Sequence, residues 1–186
     1  MRLLKALSLE TGNMMVLDTL SQASGFNYQQ LKTYLGVLEK TFVCRTVQPF
    51  HTNKSTELAK TPKIFFFDTG FRNIAADSFE ISGAMYENLV FSEMFKQNLE
   101  VKYWRTKAKA EVDFIINDKI PVEVKAKIVK DNVPRSFLSF IERYEPEKGY
   151  VLSSEFEGIK NVKNTKVHFL PFVKFLNKVC DSLSSW

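Results

Sequence analysis

Residues 110–127 read AEVDFIINDKIPVEVKAK, two strand-like runs around the turn segment Asn117-Asp118-Lys119. Read at a period of two, Glu111, Asp113, Glu123 and Lys125 fall on one side. Val112, Phe114, Ile116, Val122, Val124 and Ala126 fall on the other. A three-residue loop fixes the register of an antiparallel hairpin, with Ile116 opposite Ile120, Asp113 opposite Glu123 and Glu111 opposite Lys125. The apolar set then meets a core, and two carboxylates stand face to face. Such a pair repels unless a proton or a cation intervenes. A divalent ion resolves the conflict, and Mg²⁺, or Mn²⁺ in its place, suits hard oxygen ligands and keeps several of its own waters. No His-rich or Cys-rich cluster offers a zinc alternative. The plainer reading is a solvated hairpin face in which Glu111 and Lys125 form a surface ion pair of little energetic weight.

Two neighbouring features favour the chemical reading. Glu87 lies in a helical stretch beside Ala84, Val90 and Phe91, an acid on an apolar stripe, where a carboxylate needs a reason to be. Arg105, Lys107 and Lys109 share the odd parity of Glu111 and Asp113, so a cationic rim flanks the acids if that parity persists, and Lys127 and Lys130 extend it on the far side. Acid at the centre with base around it suits a metal-dependent enzyme acting on a phosphodiester backbone. The same lysines also serve as an ordinary solvated edge.

Around this hairpin the expected order is a helix over about 83–98 capped by Ser82, strands in VKYWRT, AEVDFII and IPVEVKA, a helix over 134–144 and a strand in KGYVLS. TKVHFL follows as a further strand, and a closing amphipathic helix begins near Pro171. Upstream of residue 63 the periodicity differs. NMMVLDTLSQASG ends a short helix at Gly25, and Asn27 caps a second helix carrying Leu31, Tyr34, Leu35 and Leu38. FVCRTVQPF and KIFFF then read as strands flanking HTNKSTELAKTP. Two helices and a strand pair make a winged helix-turn-helix arrangement, in which Lys32, Lys40, His51, Lys54, Lys60 and Lys63 could meet phosphates. A protein-docking or spacer role fits the same pattern.

The whole chain has 186 residues, 45% hydrophobic and 25% charged, with a net charge of +5 and pI near 9.1. That composition is globular and favours anionic partners, nucleic acid above all. No apolar run approaches the roughly 20 residues of a membrane-spanning helix, and the N-terminus lacks the apolar core and cleavage site of a secretory signal. Two distant cysteines, Cys44 and Cys180, suggest thiols in a reducing cytoplasm rather than a disulfide framework.

Glu87, Asp113 and the Glu123-Val124-Lys125 run, in the order helix, three strands, helix, strand, resemble the PD-(D/E)XK nuclease constellation. TPKIFFFDTGFRN, GAMYENLVFSEMFKQ, VKYWRTKAKAEVDFII and IPVEVKAK together resemble a domain of unknown function found at the C-terminus of prokaryotic AAA-type ATPases, where it follows a winged helix. The resemblance implies an α/β (α+β) fold with a winged-helix-like domain over 1–68 and a nuclease-like αβββαβ core over 69–186. It implies Asp113, Glu123 and the Val124 carbonyl as metal ligands, Lys125 as the group that orients water or steadies phosphate charge, and Glu87 as the helix-borne acid completing the site. Glu111 either assists or merely pairs. Lys32, Lys54, Arg105, Lys107, Lys109 and Lys127 become the expected DNA contacts. The residue before Asp113 is Val112 where the motif has proline, which removes no ligand. No glycine begins a GxxxxGK[ST] phosphate loop, so the ATPase expected as partner would be another part of a larger protein. The expected activity is metal-dependent phosphodiester hydrolysis, and the alternative is a non-catalytic DNA- or protein-binding module that regulates the ATPase.

Overall fold

A computed structural model describes residues 2–51 and 61–182. The N-terminal part packs three helices, α1 (Arg2–Leu9), α2 (Leu17–Ser24) and α3 (Tyr28–Lys40), on a strand pair, β1 (Cys44–Val47) and β2 (Lys63–Phe66). Gly25 ends α2 in the left-handed conformation, and a reciprocal capping box between Asn27 and Gln30 starts α3, so the break between the helices is written in local chemistry. Leu3, Leu7, Leu20, Leu31 and Leu35 from the helices bury against Cys44, Ile64 and Phe66 of the strands. α1 does not stand out in the sequence, and the expected strand pair is antiparallel, with Cys44 opposite Phe66. The segment that would join the two strands lies largely outside the described residues.

Beyond β2 come α4 (Thr69–Ala76), α5 (Gly83–Lys96), β3 (Val101–Arg105), β4 (Glu111–Ile116), β5 (Ile120–Val124), α6 (Arg135–Tyr144), β6 (Lys148–Ser153), β7 (Gly158–Val162), β8 (Thr165–Pro171) and α7 (Phe172–Ser182). The expected helix, three strands, helix, strand order is present. α4 and β7 were not expected. The strands form a mixed six-stranded sheet in the order β3-β4-β5-β6-β8-β7, with β5, β6 and β8 parallel. One face packs against α5 and α7 through Val90, Phe91, Phe114, Val122 and Phe175; the other packs against α6 through Val112, Ile115, Phe137, Phe140 and Val151. α6 comes so close that a Cβ on Gly149 would lie 2.8 Å from the Phe137 ring.

β2 belongs to both parts. Ile64 and Phe66 face the helical core, while Phe65, one residue out of phase, enters the sheet's core, stacked 4.9 Å from Phe91 and tilted against Phe114 at 5.3 Å. Asn88 of α5 accepts the Phe66 N–H at 2.7 Å, and Ser92 donates to the Phe67 carbonyl. A strand buried on both sides explains why KIFFF is apolar without alternation.

Candidate acidic site at the open end of β4 and β5

The hairpin register is as the sequence implies from its turn upward: Ile116 opposite Ile120, Ile115 opposite Pro121 and Phe114 opposite Val122. Against β3, however, the register slips. Lys102 pairs with Ile115 but Trp104 pairs with Val112, so β4 carries one extra residue, a β-bulge spanning Asp113 and Phe114. The consequence is a change of face within one strand. Val112 faces α6 while Phe114 faces α5, although strict alternation would put them on one side.

The bulge redistributes the charged residues. Glu111 sits opposite Arg105, and its carboxylate is held by Arg105 Nη1 at 2.7 Å and by Lys63 Nζ at 2.5 Å. It does not pair with Lys125, which corrects the simple alternating reading. Lys63 is not a phosphate-facing lysine of a wing either: its side chain is 3% exposed, and its ammonium lies 5.4 Å over the Tyr103 ring. Glu123 neighbours Val122 and Val124, which face α5, so its own side chain takes the opposite side, where it is 4% exposed. Lys125 binds Glu123 Oε1 at 2.7 Å with its own side chain 45% exposed.

Asp113 stands between these groups. Its Oδ2 accepts the Val124 N–H at 2.8 Å, so a side chain joins the two strands where the bulge ends their regular pairing. Burial raises its pKa against the pull of that hydrogen bond and of Lys125 and Lys63. Burial, then the nearby Asp113 charge, pushes Glu123 up to about 7 and the half-buried Glu87 up to about 8. Burial works against the ammonium of Lys125, but Glu123, Asp113 and Glu87 together outweigh it and raise its pKa. Glu87 is roofed by Gly12, whose positive φ of 79° belongs to a loop hydrogen-bonded along β2. A Cβ on Gly12 would approach Glu87 Oε2 to 3.2 Å.

Among the described residues, one buried side-chain polar atom, Glu123 Oε2, makes no hydrogen bond. A buried carboxylate oxygen in that state is costly, and a cation is one way to satisfy it. Among the described residues no three His, Cys, Asp or Glu side chains gather closely enough to hold a metal ion by themselves. The bulge gives the reason, since it turns Glu111 and Glu123 to opposite faces. Mg²⁺ is commonly held by one or two carboxylates with water and phosphate oxygens completing its shell, and the Asp113–Glu123 pair fits that smaller demand.

The remaining expected contacts separate. Lys107 and Lys109 are exposed, but they lie in the turn after β3, where Lys109 adopts a positive φ of 65°, so strand parity does not carry them onto the site. Arg105 is committed to Glu111. Lys127 and Lys130 are exposed and line, with Lys125, a groove of about 400 Å³ beside the acids. Lys32 is exposed on α3 over the Tyr28 ring, and Lys54 and Lys60 lie outside the described residues. Gly12 and Lys63 were missed as site residues. Lys63 left one trace in the sequence, a lone cation heading a strand that is otherwise wholly apolar.

Residues 82–175, 94 of the 186, match the family described as Domain of unknown function (DUF4143). The chain belongs to the DUF4143 family. Residues 1–81 match a second family, described as Domain of unknown function (DUF8612). No curated protein and no solved structure matches the chain. The DUF4143 span holds Glu87, Asp113, Glu123 and Lys125, whereas Gly12 and Lys63 come from the DUF8612 span. No helix among the described residues is long and apolar enough to cross a membrane.

Proposed function

We propose that this chain is a DNA-directed module whose C-terminal part has the PD-(D/E)XK nuclease organisation and whose N-terminal part is a winged helix-turn-helix. The observation that carries the reading is the unpartnered, buried Glu123 Oε2 beside Asp113 and Lys125. Asp113, Glu123 and the Val124 carbonyl would hold Mg²⁺ or Mn²⁺, and a bound ion would supply Lewis-acid activation of water and phosphate. The half-exposed Lys125 sits where its ammonium can steady charge on a phosphate arriving from solvent. Glu87, with its pKa near 8, can hold or release a proton close to neutral pH. The groove with Lys127 and Lys130 gives a backbone phosphate a cationic approach. On the resemblance of the motifs, the ATPase module of a full-length protein would be its partner.

A second reading has its own support. Lys125 already neutralises Glu123 Oε1, and among the described residues no three acids converge, which suits a module that grips DNA or a partner protein without cutting. Incubating the full chain with supercoiled, linear and branched DNA in Mg²⁺, Mn²⁺ or EDTA separates the two. Metal-dependent nicking, lost in Asp113→Asn and Lys125→Ala, is the expected result. Salt-sensitive DNA binding that survives both substitutions with no cut product would establish the grip alone, and absence of any salt-sensitive binding would remove DNA from both readings.

A further inference from the structure

The cation reading above leaves open how many ions the cluster takes, and this inference rests on that reading. Two-ion sites need a bridging carboxylate and a second set of acid oxygens about 3.5–4 Å beyond it. Here the second set would be Glu111 and Glu87, on the α5 side of Asp113. Glu111 is already saturated, with one oxygen on Lys63 Nζ and the other on Arg105 Nη1. Lys63 cannot swing away: it is 3% exposed, packed over Tyr103, and anchored in β2 opposite Val47. Its positive charge also favours the ionised forms of both Glu87 and Asp113, so it is felt on the side where a second ion would sit. On the other side of Asp113, Glu123 Oε2 has no partner.

We propose that the Lys63 ammonium stands in for a second divalent cation, so that the cluster takes a single ion between Asp113 and Glu123. A fixed ammonium needs no capture from solution, but it repels any dication placed near it, and in a buried setting that repulsion is poorly screened. The DUF8612 span would thereby set the metal stoichiometry of a site whose ligands lie in the DUF4143 span.

The test uses the full chain, stripped with EDTA and titrated with Mn²⁺ alone, with bound ions counted by calorimetry and by the loss of the free-Mn²⁺ EPR signal. The wild type is expected to bind one ion. Lys63→Met removes the charge at similar volume; it is expected to admit a second ion and to tighten the first by about tenfold or more, as loss of a nearby buried like charge implies. Lys63→Arg keeps the charge and is expected to keep one ion. Circular dichroism shows whether each variant folds. Should Lys63→Met fail to fold, Lys63→Gln, which removes the charge but keeps a hydrogen-bond donor toward Glu111, decides on the same two readouts. Two ions on the wild type, or a folded Lys63→Met or Lys63→Gln that still binds one ion with unchanged affinity, would each overturn the inference while leaving the cation reading intact. A wild type that binds no Mn²⁺ would sink the cation reading, and the inference with it.

Discussion

Glu123 makes the metal-free protein sensitive to pH in a direction that can be worked out. Its folded-state pKa of about 7 stands above its ordinary 4.5 because burial and the Asp113 charge disfavour ionisation. For an acid shifted upward, the contribution to stability is fully present below 4.5, where both states hold the proton. It drains away as pH rises to about 7, where the unfolded chain has long since ionised and the folded chain is forced to follow. Each tenfold in proton affinity is about 1.4 kcal/mol, so the full loss is at most about 3.5 kcal/mol, most of it between pH 5 and pH 8. Glu87 and Asp113 shift the same way, but protonating one carboxyl relieves its neighbours, so the three contributions do not simply add. For a chain of this size 1 kcal/mol moves Tm by about 2–4 °C. Thermal melts in EDTA from pH 5 to pH 8 should therefore show Tm falling by roughly 5–10 °C. Glu123→Gln, which keeps an acceptor for Lys125, should remove much of that slope, whereas the exposed control Glu155→Gln should not. A flat or rising wild-type profile, or the same slope in Glu123→Gln, would refute the argument that burial and the Asp113 charge outweigh the Lys125 ion pair.

Three further outcomes follow from packing. Gly149→Ala places a methyl 2.8 Å from Phe137 and 3.0 Å from Pro121, and a denaturant titration should show a loss of about 1–3 kcal/mol as α6 is pushed off the sheet. Gly12→Ala forces an L-residue into the left-handed region beside Glu87; it should cost about 1–2 kcal/mol in the same measurement and alter the pH dependence of the melt, which a change remote from Glu87 would not. Asn88→Leu leaves the buried Phe66 N–H without its acceptor, and equilibrium unfolding should register a loss of about 1–3 kcal/mol.

The order of elements in the C-terminal part was legible because each carries its own signal: Ser82 and Pro134 at helix starts, and apolar runs broken by Asn117-Asp118-Lys119. The turn fixed the register near itself, and Ile116 does face Ile120. What could not be read was the bulge. AEVDFII keeps its alternation in letters while the backbone inserts a residue, because a bulge is decided by what β3 offers across the ladder, and no residue within β4 announces it. Glu111 and Glu123 consequently parted company, although their spacing put them together. α1 and α4 were missed because these short helices pack on each other, a tertiary contribution that local propensity does not record.

The shared strand has the widest consequence, because it argues against treating the two family matches as separable bodies. Cutting between residues 81 and 82 removes β2 from the sheet's core, and with it Phe65, which is fully buried against Phe91 and Phe114. Losing a buried Phe alone costs about 3–5 kcal/mol, a large part of the 5–15 kcal/mol that holds a domain together. The same cut takes Lys63 from Glu111, leaving that acid to Arg105 alone, and uncovers the Asn88 and Ser92 side chains that bind β2. Residues 82–186 expressed alone should thus melt at least 10 °C below the full chain or fail to melt cooperatively, and supplying residues 1–81 in trans should recover part of the difference. A fragment as stable as the whole would mean that the stacked phenylalanines at the junction contribute little, and that the site owes nothing to the strand running beneath it.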